Sequence, residues 1–305
     1  MRKDGWDQLD MARLILASIV AVGHAIEIFA IPFGLLPSMD LFAWASEFAV
    51  LAFFAISGLV IGRSLIQSSG SGDGLFLNFM KRRLRRIYPP LLFSVALTAS
   101  AAVVLSQIGL DRYTGAALEP ARTEFSYLQN WYEIVKALAT FGFRGDLSAS
   151  SNGPLWSLAL EMQAYVVAGL AAQAFAARSK WVVAVSVIAI PIVLRARGAQ
   201  LPDLYHFACF GCFACGVAAS FFPIRFPRVV PIVSIDFSYS LYILHFPIML
   251  FVFFIWCQGE APSMWKLIWL MTFSIAASVL ISIGSAIIFE KRGWLRSRKT
   301  APAAT

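Results

Sequence analysis

The sequence predicts an all-α fold, a polytopic integral membrane helix bundle with about eight to ten transmembrane helices. Three observations carry this. Of the 305 residues, 59% are hydrophobic and only 14% are charged, where a soluble domain carries about 25% charged residues. The mean hydropathy is +0.73. Apolar runs of about 20 residues, the length a helix needs to cross a bilayer, recur from the first residues to residue 289. No stretch remains for a separate soluble domain, so residues 1–296 read as a single transmembrane domain and 297–305 as a short, disordered cytoplasmic tail. The net charge of +8 can mark a nucleic-acid partner, but in a membrane chain an excess of Lys and Arg marks the cytoplasmic loops and lipid headgroups. No nucleic acid is expected.

The predicted spans are 8–30, 43–64, 87–108, 154–177, 181–195, 203–222, 230–256 and 265–289. The first is a long apolar run that holds Arg13, His24 and Glu27 with no small-residue cleavage site after it, so it reads as a retained helix rather than a signal peptide. After the second span, the SSGSGDG run opens a flexible connection over 67–80. The third follows the basic cluster Lys81, Arg82, Arg83, Arg85 and Arg86 and starts with Tyr88, Pro89 and Pro90. Leu110 to Gly153 is the only long connection on the opposite side, and its aromatic stretch Phe125 to Phe143 has three readings: crossing, re-entrant or on the membrane surface. The fourth span opens at Asn152, Gly153 and Pro154, and the fifth is short. In the sixth, Cys209, Cys212 and Cys215 have metal-like spacing, but in an apolar helix such steps mark one packed face, so no metal is expected. Pro247 predicts a kink in the seventh. With a cytoplasmic N-terminus, seventeen of the 25 Lys and Arg fall on the inner side and seven on the outer, Arg13 lying within the first span. The positive-inside rule therefore places both termini in the cytoplasm and the chain in the cell (inner) membrane.

Ionisable groups at membrane depth are costly and by default face a cavity or a pathway. Arg13 and His24 are eleven residues apart, about three turns and roughly 16 Å of rise, and so share a face at different depths. Glu27 stands one turn beyond His24, placed to orient or charge the imidazole. Ser157, Glu161 and Tyr165 follow at four-residue steps along one face of the fourth span. Entering from the outer side, Glu161 lies at a depth similar to that of His24, where the two can form a general-base pair, although periodicity alone does not show that they touch. Trp156 reads as an interfacial belt residue or a substrate stack. Ser238, Tyr242 and His245 line one face of the seventh span, with His245 either a structural hydrogen bond or a substrate contact. His206, beside Asp203, reads as part of a surface pair. Five cations beside a helix start suit both lipid headgroups and a ligand bearing several phosphates.

These residues fall in five runs: LDMARLILASIVAVGHA with its Arg13 to His24 spacing, FFAISGLVIGRSL around Ser57, RRLRRIYPP, NGPLWSLALEMQAY and SYSLYILHFP. In that order, over most of the chain, they resemble the membrane acyltransferase 3 family, whose members O-acylate sugars and other acceptors using acyl-CoA. The resemblance implies that Arg13 and His24 are functional, that Glu161 belongs to the active region, and that Arg82, Arg83 and Arg86, with Tyr88, face the acyl donor on the cytoplasmic side. The family typically has more crossings in a somewhat longer chain, and some relatives carry a fused esterase-like domain, so a relay to a second domain would need a separate protein or a homo-oligomer.

The expected function is a membrane-bound O-acyltransferase moving an acyl group, acetyl by the family resemblance, from cytoplasmic acyl-CoA to a hydroxyl of a glycan or lipid-linked sugar. No bound cofactor is expected; acyl-CoA is a co-substrate. His24 and Glu161 are the catalytic candidates, His24 as the base with Glu161 or Glu27 stabilising the imidazolium, and a covalent acyl-histidine is the competing mechanism. Arg13, Arg82, Arg83, Arg86 and Tyr88 are donor-binding candidates, and Glu27, Ser57, Trp156, Ser157, Tyr165, Tyr242 and His245 are acceptor or supporting candidates. A transporter or channel with an intramembrane His/Glu proton relay is the alternative.

Overall fold

The computed structural model describes residues 6–36, 40–118, 120–125, 131–141, 143–147, 151–181, 204–224 and 236–290. Among the described residues eight α-helices run in order: α1 (Trp6–Phe29), α2 (Asp40–Ser68), α3 (Leu75–Gln107), α4 (Trp131–Ala139), α5 (Leu155–Ala176), α6 (Leu204–Ala219), α7 (Ser238–Trp256) and α8 (Met264–Ser285), the last extended by a π-turn, Ala286–Glu290. Among the described residues no named strand occurs; Arg112 and Glu124 form an isolated bridge. Among the described residues, six helices are long and apolar enough to cross a membrane, namely α1, α2, α3, α5, α7 and α8, and α6 is a shorter apolar helix. The expected span 181–195 lies outside the described residues beyond Trp181, as do 230–235, Asp203 and the tail from 291, so a count of eight to ten rests on segments not described.

Helix α7 is the most buried of the six. It packs against α1, α3 and α8, while α2 lies between α1 and α6. The α2–α6 pair approaches through glycine. A methyl group at Gly58 would strike the Phe213 carbonyl, and one at Gly216 would strike that of Ala55. Small residues four apart, Gly58 and Gly62, let the two backbones meet. In α8 the buried face is Ser274, Ser278, Ser282 and Ser285, while Trp265, Trp269 and Leu280 point outward. In water this pattern would be inside out; in lipid it keeps the hydroxyls away from the hydrocarbon.

Pro247 does not end α7. It has no N–H to give to the carbonyl four residues back, that of Ile243. Ser94 Oγ (2.7 Å) and Asn152 Nδ2 (2.9 Å) donate to that oxygen instead. Asn152, fully buried, also donates to Ser94 Oγ at 3.1 Å. The start of α5 is therefore pinned inside the bundle, not at its surface.

Two boundaries differ from the sequence reading. The third helix begins at Leu75, not 87, because Leu75, Phe79, Met80 and Ile87 continue one buried face past the cations, and Pro89 and Pro90 lie inside the helix. The expected loop 67–80 contracts to a 3-10 turn, Ser69–Gly74. There Gly72, at φ +56°, takes a left-handed conformation that a side chain would strain. Gln173 of α5 closes this turn, donating to Gly72 O (2.9 Å) and accepting from Phe76 N (2.8 Å). The α4 helix has nine residues, about 13 Å and too short to cross. The carbonyl of Leu138, near its end, accepts from Tyr88 OH in the fourth turn of α3. Phe141, held at φ +53°, turns the chain there and packs on the Tyr88 ring. Among its described residues, Ile134 and Ala137 are buried against the bundle.

Candidate active site

Helices α1, α2, α3, α5 and α7 line a cavity of about 80 Å³, partly open to the surroundings, at the end of the bundle that carries the basic cluster. Arg13 of α1, Arg83 and Arg86 of α3, and Ser157, Glu161 and Tyr165 of α5 reach it, with Tyr239 and Tyr242 of α7 and Phe53 and Phe54 of α2. Helical periodicity selects these residues. Arg83 and Arg86 are three apart and share a face, as do Ser157, Glu161 and Tyr165 at four-residue steps. Arg82 turns away, is exposed, and donates to Ser68 Oγ at 2.8 Å.

The three cavity arginines differ in their partners. Arg86 pairs with Asp236 at 3.3 Å, and Asp236 caps α7 by accepting from Ser238 N and Oγ at 3.1 and 2.6 Å. Arg83 lies over the Phe79 ring, 5.6 Å from its centroid, and its Nε is buried with no hydrogen-bond partner. Neither Arg13 nor Arg83 has a carboxylate at ion-pair distance among the described residues. Unpaired guanidinium groups converging on an enclosed space suit a polyanion.

A series of polar groups leads away from the arginines. Glu161 accepts from both Ser57 of α2 and Tyr165, and the two hydroxyls are themselves 2.9 Å apart. One turn along, Ser157 Oγ meets Tyr242 OH at 2.6 Å. The Tyr242 ring then contacts that of His245 edge-on, with centroids 6.1 Å apart. His245 is fully buried, with Nε2 3.0 Å from His24 Nδ1 and Nδ1 2.9 Å from the Leu241 carbonyl. The Phe246 ring meets the other side of the His24 ring edge-on at 5.0 Å. His24 Nε2 points to Glu27 Oε2 at 3.8 Å. Beyond Glu27, the guanidinium of Arg122, from the far connection, lies beside Gly153 and Phe246 and within electrostatic reach of Glu27.

The expected pairing of His24 with Glu161 is not made: no hydrogen bond or ion pair joins them. The reason is depth. Because α5 starts at the buried Asn152, Ser157 is level with Tyr242, and Glu161 lies about 6 Å further toward the basic end. His245 and His24 lie about 4.5 Å the other way. Of the two carboxylates expected to stabilise the His24 imidazolium, Glu27 is the one beside it.

Trp156 is half-buried and packs on the rings of Tyr205 and His206, 5.8 and 5.2 Å away. His206 has that contact, and Asp203 lies outside the described residues. Cys209, Cys212 and Cys215 run from buried to exposed rather than along one packed face, since each three-residue step falls about 60° short of a full turn. Burial pushes the Cys257 thiol up to about 12. Sequence reasoning missed Asp236, Arg122 and Asn152. A cap two residues before Ser238 was a readable signal for Asp236, and Pro247 marked the freed Ile243 carbonyl without naming what would fill it.

Comparison with known proteins adds an independent line. The model of the family described as "Acyltransferase domain" matches residues 6–199. An O-acetyl transferase of Shigella phage Sf6 is 30% identical over 164 residues, 53% of this chain and 44% of the relative. A Bacillus subtilis (strain 168) protein, named provisionally as a peptidoglycan O-acetyltransferase, is 32% identical over 129 residues, 41% of this chain and 19% of its own length. The aligned parts thus cover less than half of either relative. No solved structure matches the chain at a significant level.

Proposed function

The chain belongs to the acyltransferase 3 family, and from that premise we propose that it is a multi-pass membrane O-acyltransferase that takes an acyl group from acyl-CoA at the basic end and transfers it to a hydroxyl of a sugar-containing acceptor at the far end. The observation that carries this reading is the convergence of Arg13, Arg83 and Arg86 on one cavity, two of them without a carboxylate partner among the described residues. Coenzyme A carries its charge on phosphates, which guanidinium groups bind by charge-assisted hydrogen bonds. The uncharged pantetheine arm is the part suited to extend past Phe53, Phe54 and Glu161, where the carboxylate can accept an amide N–H. The names of the relatives make acetyl the first acyl group to test and cell-envelope glycan, peptidoglycan included, the first acceptor.

In the reaction, His24 Nε2 takes the proton of the acceptor hydroxyl as its oxygen attacks the thioester carbonyl. The carbon–sulfur bond breaks, and the thiolate of CoA recovers the proton from the imidazolium. Glu27, 3.8 Å from Nε2, supplies the negative charge that stabilises the transient cation. The bundle stands with its basic end in the cytoplasm of the inner membrane, where acyl-CoA is available, and the exposed Lys81 and Arg85 meet lipid headgroups.

Purified protein in detergent, given acetyl-CoA with and without glycan, tests this through release of the CoA thiol. Arg83→Gln is expected to weaken donor binding by tenfold or more, since a charge-assisted contact is worth roughly 1.5–3 kcal/mol, while Arg82→Gln, whose side chain faces away, changes it little. Equal effects at the two positions would assign the arginines to lipid headgroups and move the donor site elsewhere.

A further inference from the structure

We infer that His245 is a positioning residue that fixes the tautomer of His24, leaving Nε2 of His24 as the bare, proton-accepting nitrogen. The Leu241 carbonyl can only accept a hydrogen bond. It lies 2.9 Å from His245 Nδ1, so that nitrogen carries the hydrogen. His245 is fully buried, and no carboxylate lies at ion-pair distance among the described residues. A buried imidazolium without a counter-ion is costly, so His245 is neutral and its Nε2 is an acceptor. His24 Nδ1, 3.0 Å from that acceptor, must then be the donor. A neutral His24 with its hydrogen on Nδ1 has its lone pair on Nε2, the nitrogen that faces Glu27.

Free histidine in water prefers the opposite tautomer, with the hydrogen on Nε2, which would leave nothing at that nitrogen to take a proton. The chain Leu241 carbonyl, His245, His24 reverses this preference without placing a charge in the core. It performs the orienting task that a buried carboxylate performs in a Ser-His-Asp triad, with a neutral ring as the orienter. The Phe246 ring, edge-on to His24 at 5.0 Å, holds the imidazole plane so that the hydrogen bond is kept. When Nε2 takes up a proton, the Nδ1–H bond to His245 becomes charge-assisted and strengthens, which favours the step at the moment it occurs. The inference rests on the reading of His24 as the base.

Nitrogen-15 spectroscopy of the full-length protein, labelled at histidine and held in lipid vesicles, distinguishes protonated from bare ring nitrogens. The chain has three histidines, so single substitutions assign every signal. The wild type is expected to give a His24 signal with Nδ1 protonated and Nε2 bare. His245→Phe keeps a ring but removes the acceptor, so the Nε2–H tautomer of His24 should appear. In acetyl transfer, kcat should fall roughly 100-fold or more, as for loss of an orienting partner, while KM for acetyl-CoA stays within about twofold because the donor cavity is untouched. His245→Gln restores a carbonyl acceptor and should recover kcat to within about tenfold of wild type. An unchanged His24 signal in His245→Phe overturns the inference. So does a changed signal with an undiminished rate, or an equal loss of rate in the Phe and Gln variants. A full rate in His24→Ala overturns instead the reading of His24 as the base, and the spectrum reports on the two-histidine bond whether or not transfer occurs.

Discussion

At the scale of single residues, the account separates the chemistry at His24 from the donor contacts at Glu161. His24→Ala should lower kcat by roughly 100-fold or more, with the protein still folded, because the substitution introduces no charge or bulk. Turnover above about a tenth of wild type would exclude a general-base role. Glu161→Gln should instead raise KM for acetyl-CoA about tenfold with a smaller change in kcat, since Glu161 lines the cavity that holds the arginines and touches Ser57 and Tyr165, not the histidines. A pure kcat effect would return Glu161 to the reacting centre. The individual residues were legible because ionisable groups in apolar helices are few, and helical spacing sorts them into faces. Which of them meet was not legible. Periodicity gives a side chain's direction around its own axis but not the relative height of two helices, and that height is set here by Asn152 filling the carbonyl that Pro247 leaves open.

At the scale of elements, two helix contacts position the site. The α2–α6 crossing brings Gly58 against Phe213, next to Ser57, which donates to Glu161. Gly58→Ala forces the helices apart, and overpacking of this kind costs about 1–3 kcal/mol. The thermal midpoint of the detergent-solubilised protein should fall and donor affinity with it, whereas Gly211→Ala, with nothing within 4 Å of the added methyl, should leave both unchanged. In α3 the cations sort by face. Arg86→Gln should weaken donor binding in parallel with Arg83→Gln, and in each the salt dependence of binding should flatten. The sequence placed these cations in a loop before the third span. Its apolar pattern through Leu75, Phe79 and Met80 was present, but the glycine-rich run and five charges masked it. Two consecutive prolines inside a helix likewise read as a start rather than an interior.

At the scale of the molecule, composition and hydropathy sufficed for a membrane helix bundle, because lipid leaves few ways to satisfy backbone polar groups. The placement of the far connection was open in the sequence, since a short amphipathic helix such as α4 has the same pattern on a membrane surface as in a re-entrant loop. The whole arrangement places a cavity lined by three arginines at one end and a histidine pair deeper in, joined by Glu161, Ser157 and Tyr242. The central claim is that the acyl group passes along this line, so that donor and acceptor need never share a compartment. The most direct test uses sealed vesicles in which the basic end of the protein faces outward, with labelled acetyl-CoA supplied outside and muropeptides and oligosaccharides enclosed. The account predicts labelled ester inside the vesicles from the wild type and at most a hundredth as much from His24→Ala, the loss expected for removing a general base being roughly 100-fold or more. Ester formed only when donor and glycan are placed on the same side, or formed equally by the His24→Ala protein, would contradict it.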